Sequence, residues 1–342
     1  MSNRLASRLQ RLWFQSVDTF SYPLHDAWRR GQQAIALGNP AAQGSVNKGS
    51  SNQGCVNQGS TNQIVNQKEI RVVGMRRTGN HAIIAWIEHQ LSGKYWHLNN
   101  IEPGKNPYRH KAHNLRRYYP EHDKMSQVYS QQGNGEFIQR DYLLYSYEDW
   151  SLAQIAQCPV ERNRALYLGQ SAQYLDILIL RDPFNLFASR LKKGYVPTKD
   201  KKLSMVDMWL EYAKEFVGES QHLQRNLVCI NYNQWFQEKD YRRKLASQLG
   251  VSFSDAGLTT VPDVGGGSSF DDIQMNGQAR SMDVTMRWQQ YVKDPAFRAL
   301  FERESVWQYS QQIFGDLPGT QRLRPYAPAI RTSTVPCTTG QY

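Results

Sequence analysis

The stretch RVVGMRRTGNHA, residues 71–82, has the residue types of an anion-binding loop. Gly74 and Gly79 stand at the spacing of the two glycines in the phosphate-binding pattern G-x-x-x-x-G-K-[ST]. That pattern continues with a Lys for the β/γ-phosphates and a Ser or Thr for Mg²⁺, whereas this chain has Asn80 and His81. A glycine-containing turn entering a helix gathers backbone N–H groups at the helix N-terminus, where the partial positive charge favours an anion. Arg76 and Arg77 add charge and Thr78 a hydroxyl, so the residues suit a phosphate or phosphosulfate held without a metal. A second candidate lies in ILILRDPFNLFASRLKKG, residues 177–194. Arg181 ends an apolar run, Pro183 is placed for the first turn of a helix, and Ser189 follows the arginine by eight residues. The two side chains can approach one anion from two sides, or Arg181 can instead pair with Asp182.

Bringing these groups together requires a scaffold, and the pattern along the chain supplies one. Strand-like runs at 70–74, 142–146, 174–180 and 226–230 alternate with helix-like periodicity at 81–91, 184–193, 205–223 and 235–249. Such alternation predicts an α/β fold, a central parallel sheet with helices on both faces. The run YLDILIL is of the kind a strand buried on both faces shows. In such sheets ligands sit beyond the carboxyl ends of the strands, where both candidate turns fall. Residues 99–135 are polar, rich in His, Arg and Tyr and poor in periodicity, which predicts loop and short helix shaping a substrate cleft.

Together the two turns resemble those of sulfotransferases that use 3′-phosphoadenosine 5′-phosphosulfate. In that family a P-K-S-G-T-T-W loop after the first strand holds the 5′-phosphosulfate. Arg77 stands at the family's lysine, Thr78 at its serine, Gly79 at its glycine, and Asn80 and His81 at its threonines. Arg181 and Ser189 match the R-x7-S segment that holds the 3′-phosphate, roughly 100 residues on. Residues 227–251 look like the family's strand, Y-E-D-L turn and helix, with Tyr232, Asn233 and Leu249–Gly250 at matching places. The resemblance covers about residues 71–315. It implies a P-loop nucleoside triphosphatase-like sulfotransferase fold, the phosphosulfate nucleotide as donor, no metal, and in-line displacement by an acceptor hydroxyl that loses its proton to a general base.

The departures are specific. An arginine in place of the lysine is a planar fork where the family has a compact ammonium. Ala82 stands where many members place an adenine-stacking Trp, which leaves Trp86 as a substitute. The family's K-G-x-x-G-x-W segment is absent as such. Its nearest counterpart is VGGGSSFDD, 264–272, in which Gly266, Ser268 and Ser269 suit an anion nest or a plain flexible loop, with Arg280 and Arg287 as sources of charge. Many relatives carry K-T-H at the end of the middle strand, and Ser146, Tyr147 and Glu148 stand there in this chain. Glu148 is the chosen base, with helix capping as its alternative role, and His81, His110 and His113 are in reserve.

The 342 residues carry a formal net charge of +11, which favours an anionic partner. The four cysteines form no C-x-x-C and no His/Cys cluster, so free thiols in a reducing compartment are expected. No run of about 18 apolar residues occurs, which predicts no membrane span and, with no signal-peptide pattern, a cytoplasmic protein. The organisation predicted is a basic helical segment at 1–38, a repeat linker at 39–68, a catalytic domain at 69–317 and a mobile tail at 318–342. The linker holds a tandem ten-residue repeat too polar to bury a face. Within residues 4–14, leucines at helical spacing with interleaved arginines suit packing on the protein's own body or peripheral contact with a membrane surface. The partners expected are a nucleotide donor and a hydroxyl acceptor such as a carbohydrate, with no nucleic acid. YRHKAHNLRRYY, 108–119, is placed as a lining of the acceptor site. Two other readings stand: a P-loop nucleotide kinase, against which the missing Lys-Ser/Thr pair counts, and a catalytically silent protein binding nucleic acid or acidic glycan.

Overall fold

The computed structural model describes residues 63–258, 270 and 282–324. The expectations for the N-terminal segment, for most of the repeat linker, for Gly266, Ser268, Ser269 and Arg280, and for the tail beyond 324 lie outside the described residues. Five strands form one sheet: β1 (Ile64–Gly74), β2 (Tyr95–Leu98), β3 (Arg140–Glu148), β4 (Gln170–Leu180) and β5 (Val228–Asn231). Their order is β2-β3-β1-β4-β5, and each pair of neighbours is parallel. The helices that follow the strands are α1 (Asn80–Gln90), the hairpin of α2 (Pro107–Tyr118) and α3 (Asp123–Gly133), and the short α4 (Leu152–Gln157), α5 (Pro159–Arg162) and α6 (Arg164–Leu168). Next come α7 (Pro183–Lys193), α8 (Met205–Phe216), α9 (Tyr232–Gln237), α10 (Lys239–Leu249), α11 (Pro295–Ala299) and α12 (Glu304–Phe314). The α/β class, a parallel sheet with helices on both faces, is the one the alternating pattern predicts.

Alternation along the strands divides the core in two. Ile70, Val72, Leu144, Ile177, Ile179 and Ile230 face α1, α9 and α10, where Ile83, Ile87, Trp86, Trp235 and Leu249 bury against them. On the other face, Val73, Leu143, Tyr145, Leu178 and Leu180 pack against residues of α2, α7, α8 and α12, among them Tyr108, Phe187, Trp209 and Val306. Burying one such side chain contributes about 1.5–3 kcal/mol, so the two layers fix the strands that carry the site.

Several boundaries differ from the sequence reading. β1 begins at Ile64, inside the span assigned to linker, because its first residues are polar but paired: Asn66 is buried and donates to Leu168 O at 3.1 Å and Ser171 Oγ at 2.9 Å. Residues 99–135 hold two helices of eleven residues or more, since Tyr108, Ala112 and Leu115 form a narrow apolar stripe among cations and Asn106 caps the first turn by accepting from Arg109 N at 3.1 Å. The helix expected at 205–223 stops at Phe216, just ahead of Gly218 at φ 83°. The one at 235–249 is two helices broken at Glu238, whose backbone is extended. The tail assigned from 318 is packed at its start, where Leu323 is fully buried and a 3-10 turn covers Thr320–Leu323. Four-residue β2 is an edge strand too short to show periodicity.

Candidate functional site

The connection leaving β1 runs to the β2 edge and that leaving β4 runs to the β5 edge. Their turns therefore part, and a crevice opens at the carboxyl ends of β1 and β4. The β1–α1 turn is tightly built. Arg77 lies at φ 73° and Gly79 at φ 99°, and Gly79 has the ring of Tyr232 so close that any Cβ would overlap it. Thr78 N–H donates to Met75 O at 3.2 Å. The Arg76 N–H donates to Asp149 Oδ1 at 2.8 Å, and its carbonyl accepts from Arg190 Nη1 at 3.1 Å. Asp149 and Arg190 are both fully buried and joined through two bonds of 2.6 and 3.1 Å. This ion pair binds the end of β3 to α7 and clamps the loop between them.

On the β4 side Arg181, 2% exposed, reaches back across the crevice. Its Nη1 lies 3.3 Å from Arg77 O and 3.5 Å from Ser189 Oγ, its Nη2 donates to Val284 O, and its guanidinium packs over the Tyr232 ring at 4.9 Å. Arg287 Nη1 approaches the same Ser189 Oγ at 3.3 Å, and its guanidinium packs against the Phe270 ring at 5.0 Å. Two buried guanidinium groups on one hydroxyl repel each other, an arrangement that an anion relieves. Asp182 does not neutralise Arg181. It caps α7 by accepting from Asn185 N at 2.8 Å and takes Asn233 Nδ2 at 3.0 Å. Thr78 Oγ1 and Arg181 Nε are buried with no hydrogen-bond partner among the described residues. Leaving such groups unmet costs about 1–3 kcal/mol each, which a phosphate-bearing ligand in the crevice would return. The residues present thus fit an anionic group such as a phosphate or phosphosulfate.

The carboxyl end of β3 brings in the third side. Glu148 is 5% exposed, accepts from Asn80 Nδ2 at 3.1 Å, and stands 3.6 Å from His81 Nε2. Burial holds His81 below the ordinary histidine range, against the opposing pull of Glu148, so its imidazole is neutral at neutral pH. Tyr147 points to the other face, where its hydroxyl donates to Glu161 at 3.1 Å. Ser146 ties the β2 connection down, accepting from Asn100 N at 2.7 Å and donating to Asn99 Oδ1 at 3.1 Å.

The structure therefore brings Arg77, Thr78, Gly79, Asn80, His81, Glu148, Arg181, Ser189 and Arg287 to one end of the sheet. Some roles shift within that group. Asn80 turns its amide inward to Met75 O, at 3.0 Å, and to Glu148, leaving its place at the helix start to the backbone. Arg76 is directed at Asp149 and at the Tyr195 ring, 5.1 Å away. Trp86 is no substitute stacking residue: it is fully buried in the core, donates to Ser254 O at 3.0 Å and meets Trp235 edge-on. Among the reserve bases His110 faces Glu102 at 3.7 Å, while His113 is exposed. Arg71, at the head of the motif, forks onto Asp176 at 2.9 and 2.7 Å in a buried network beneath the sheet. Sequence reasoning missed Asp149 and Arg190, whose pairing spans 41 residues, and Lys199, in the connection between α7 and α8. No periodic signal marks any of the three. Among the described residues no cluster of His, Cys, Asp or Glu could hold a metal, and no helix is long and apolar enough to cross a membrane.

No protein-family model and no curated protein matches the chain. Among solved structures it is similar to the sulfotransferase domain from the Synechococcus PCC 7002 olefin synthase, at 11% identity over 75% of this chain and 98% of that one, with a TM-score of 0.47. The sulfotransferase domain from the curacin biosynthetic pathway is similar at 14% identity over 73% and 98% of the two chains, with a TM-score of 0.40. Mouse sulfotransferase SULT7A1, complexed with PAP, is similar at 12% identity over 71% and 90%, with a TM-score of 0.38.

Proposed function

We propose that the chain is a sulfotransferase that moves a sulfuryl group from 3′-phosphoadenosine 5′-phosphosulfate to an acceptor hydroxyl, a carbohydrate being one such acceptor. The observation that carries this reading is the meeting of Arg181 and Arg287 on Ser189 Oγ, next to the Arg77 carbonyl of the glycine loop. A ligand with two separate anionic groups suits such a pair of sites. Arg181, Ser189 and Arg287 hold the 3′-phosphate, and the backbone from Arg77 to His81, with Thr78 and the Arg77 side chain, holds the phosphosulfate.

In the transfer, the acceptor oxygen attacks sulfur as the bond from sulfur to the phosphate oxygen breaks. The acceptor proton passes to Glu148, and the departing electron pair remains on the phosphate, where Arg77 and the loop N–H groups stabilise it. His81 has a side chain 22% exposed against 7% for Glu148, so it lies on the path by which that proton reaches solvent. Asp149, the other carboxylate at this end of β3, is committed to Arg190 and Arg76 and is not available to hold Mg²⁺ as a kinase site requires.

Thermal unfolding of the full chain with adenosine 3′,5′-bisphosphate, with adenosine 5′-diphosphate, and with ATP and Mg²⁺ tests the reading. At a hundredfold its dissociation constant a ligand adds about 2.7 kcal/mol. Selective stabilisation by the 3′,5′-bisphosphate is expected, and preference for ATP with Mg²⁺ would refute it.

A further inference from the structure

In the strand order, Arg181 and Ser189 lie on the β4 side of β1, while Glu148 lies on the β3 side. With the donor's 3′-phosphate on the β4 side and its sulfuryl group at the β1 loop, the acceptor must enter from the side of β3 and β2. One cation there has no assigned role. Lys199 is held at both ends: its backbone N–H donates to Asp149 O at 3.1 Å, and its ammonium donates to Asn100 Oδ1 at 2.6 Å. Both partners are locally strained, Asn100 at φ 48° and Asp149 at φ 61°. The ammonium also lies 5.5 Å from the Trp150 ring. Among the described residues Lys199 makes no ion pair, in contrast to Lys105, which takes Glu102 at 2.6 Å. The charged groups facing it are Arg76 from the β1 loop, Glu148 and Asp149 from β3 and its end, and Glu102 from the connection after β2. A half-buried ammonium that gives one N–H to a neutral amide and packs by an aromatic ring, on the side of the sheet where Glu148 lies, keeps further N–H groups that suit a negatively charged oxygen.

We infer that Lys199 is a catalytic residue: its ammonium donates a hydrogen bond to the acceptor oxygen beside Glu148 and stabilises the negative charge that gathers there as the proton leaves. This inference rests on the sulfotransferase reading. No covalent bond to Lys199 forms, and the proton still goes to Glu148. Burial, with Arg76 close by, lowers the ammonium pKa to about 8. The charged form is the active one, so activity falls as pH rises through about 8, whereas arginine in its place stays charged.

The test uses the full chain and the phosphosulfate donor, with water taking the acceptor's place and released sulfate as the readout. Lys199→Met is expected to slow release about a hundredfold while leaving stabilisation by the 3′,5′-bisphosphate unchanged. Lys199→Arg is expected to retain turnover and to lose the alkaline limb. A second readout needs no turnover: acetic anhydride labelling of Lys199, followed by mass spectrometry, is expected to be slower with the phosphosulfate bound than with the bisphosphate. Wild-type rates in Lys199→Met, an alkaline limb unmoved in Lys199→Arg, or equal labelling under the two nucleotides would overturn the assignment. Absence of any bisphosphate shift in the unaltered chain would instead remove the sulfotransferase reading itself, and this inference with it.

Discussion

Asp149→Asn changes one atom at the point where the loop, β3 and α7 are joined. The carboxylate is fully buried and accepts four contacts: two from Arg190, at 2.6 and 3.1 Å, the Arg76 N–H at 2.8 Å, and the Arg76 Nε at 3.9 Å. Arg190 has no exposed surface, so removing the opposing charge leaves a buried cation uncompensated. Breaking a buried pair from one side costs about 3–5 kcal/mol, and the remaining amide oxygen keeps one acceptor, which places the loss near the lower end, about 3 kcal/mol. For a domain of this size that is a fall of about 6–12 °C in Tm. Urea unfolding gives the free energy and the slope, which should not change, and thermal unfolding gives Tm. Arg190→Met added to Asp149→Asn removes the stranded cation and should recover at least about 1 kcal/mol, a coupling within the usual range for residues in contact. Bisphosphate stabilisation should fall in the single variant, because the Arg76 N–H no longer has its anchor. A Tm for Asp149→Asn within about 2 °C of the original, with bisphosphate binding intact, would refute the clamp.

Three other outcomes are expected. Arg181→Ala should weaken adenosine 3′,5′-bisphosphate by about 1.5–3 kcal/mol, the range for a charged hydrogen bond, and leave adenosine 5′-phosphate unchanged; equal losses by calorimetry would contradict the assignment to the 3′-phosphate. Glu148→Gln should cut turnover by roughly 10²–10⁴ with bisphosphate binding preserved, and turnover near the original rate would move the base elsewhere. Because burial lowers the His81 pKa, its neutral form persists down to pH values below the ordinary 6.5. Activity should therefore fall with acid only below that point, and an acid limb at or above 6.5 would count against a neutral His81 in the site.

The α/β class and four of the five strands were legible because each carries a run of apolar residues that a buried parallel strand requires. β2 was not, being an edge strand of four residues. For the hairpin of α2 and α3 the sequence predicts only loop and short helix, because three apolar residues in α2 are spaced among histidines and arginines and hydropathy averages the stripe away. The start of β1 was hidden for the opposite reason: Asn66, Glu69 and Arg71 are buried polar residues whose partners lie about a hundred residues distant, and a local pattern cannot show that they are paired.

The same distinction runs through the site. Gly74, Gly79, Arg181 and Ser189 were readable in sequence because their spacing is local: a glycine turn, with Gly79 at φ 99°, leads from a strand into a helix, and a residue at a strand end faces the crevice. The sequence by itself also placed Arg287 among the candidates and put Glu148 at the end of the middle strand. Only the tertiary structure decided that Arg181 and Arg287 share one serine, that Trp86 belongs to the core, that Asp149 pairs with Arg190, and that the Lys199 N–H meets Asp149 O. Those facts depend on which side chains chain crossing brings within about 4 Å and on the low dielectric that strengthens charged contacts there. Neither is a property of any stretch of residues taken alone.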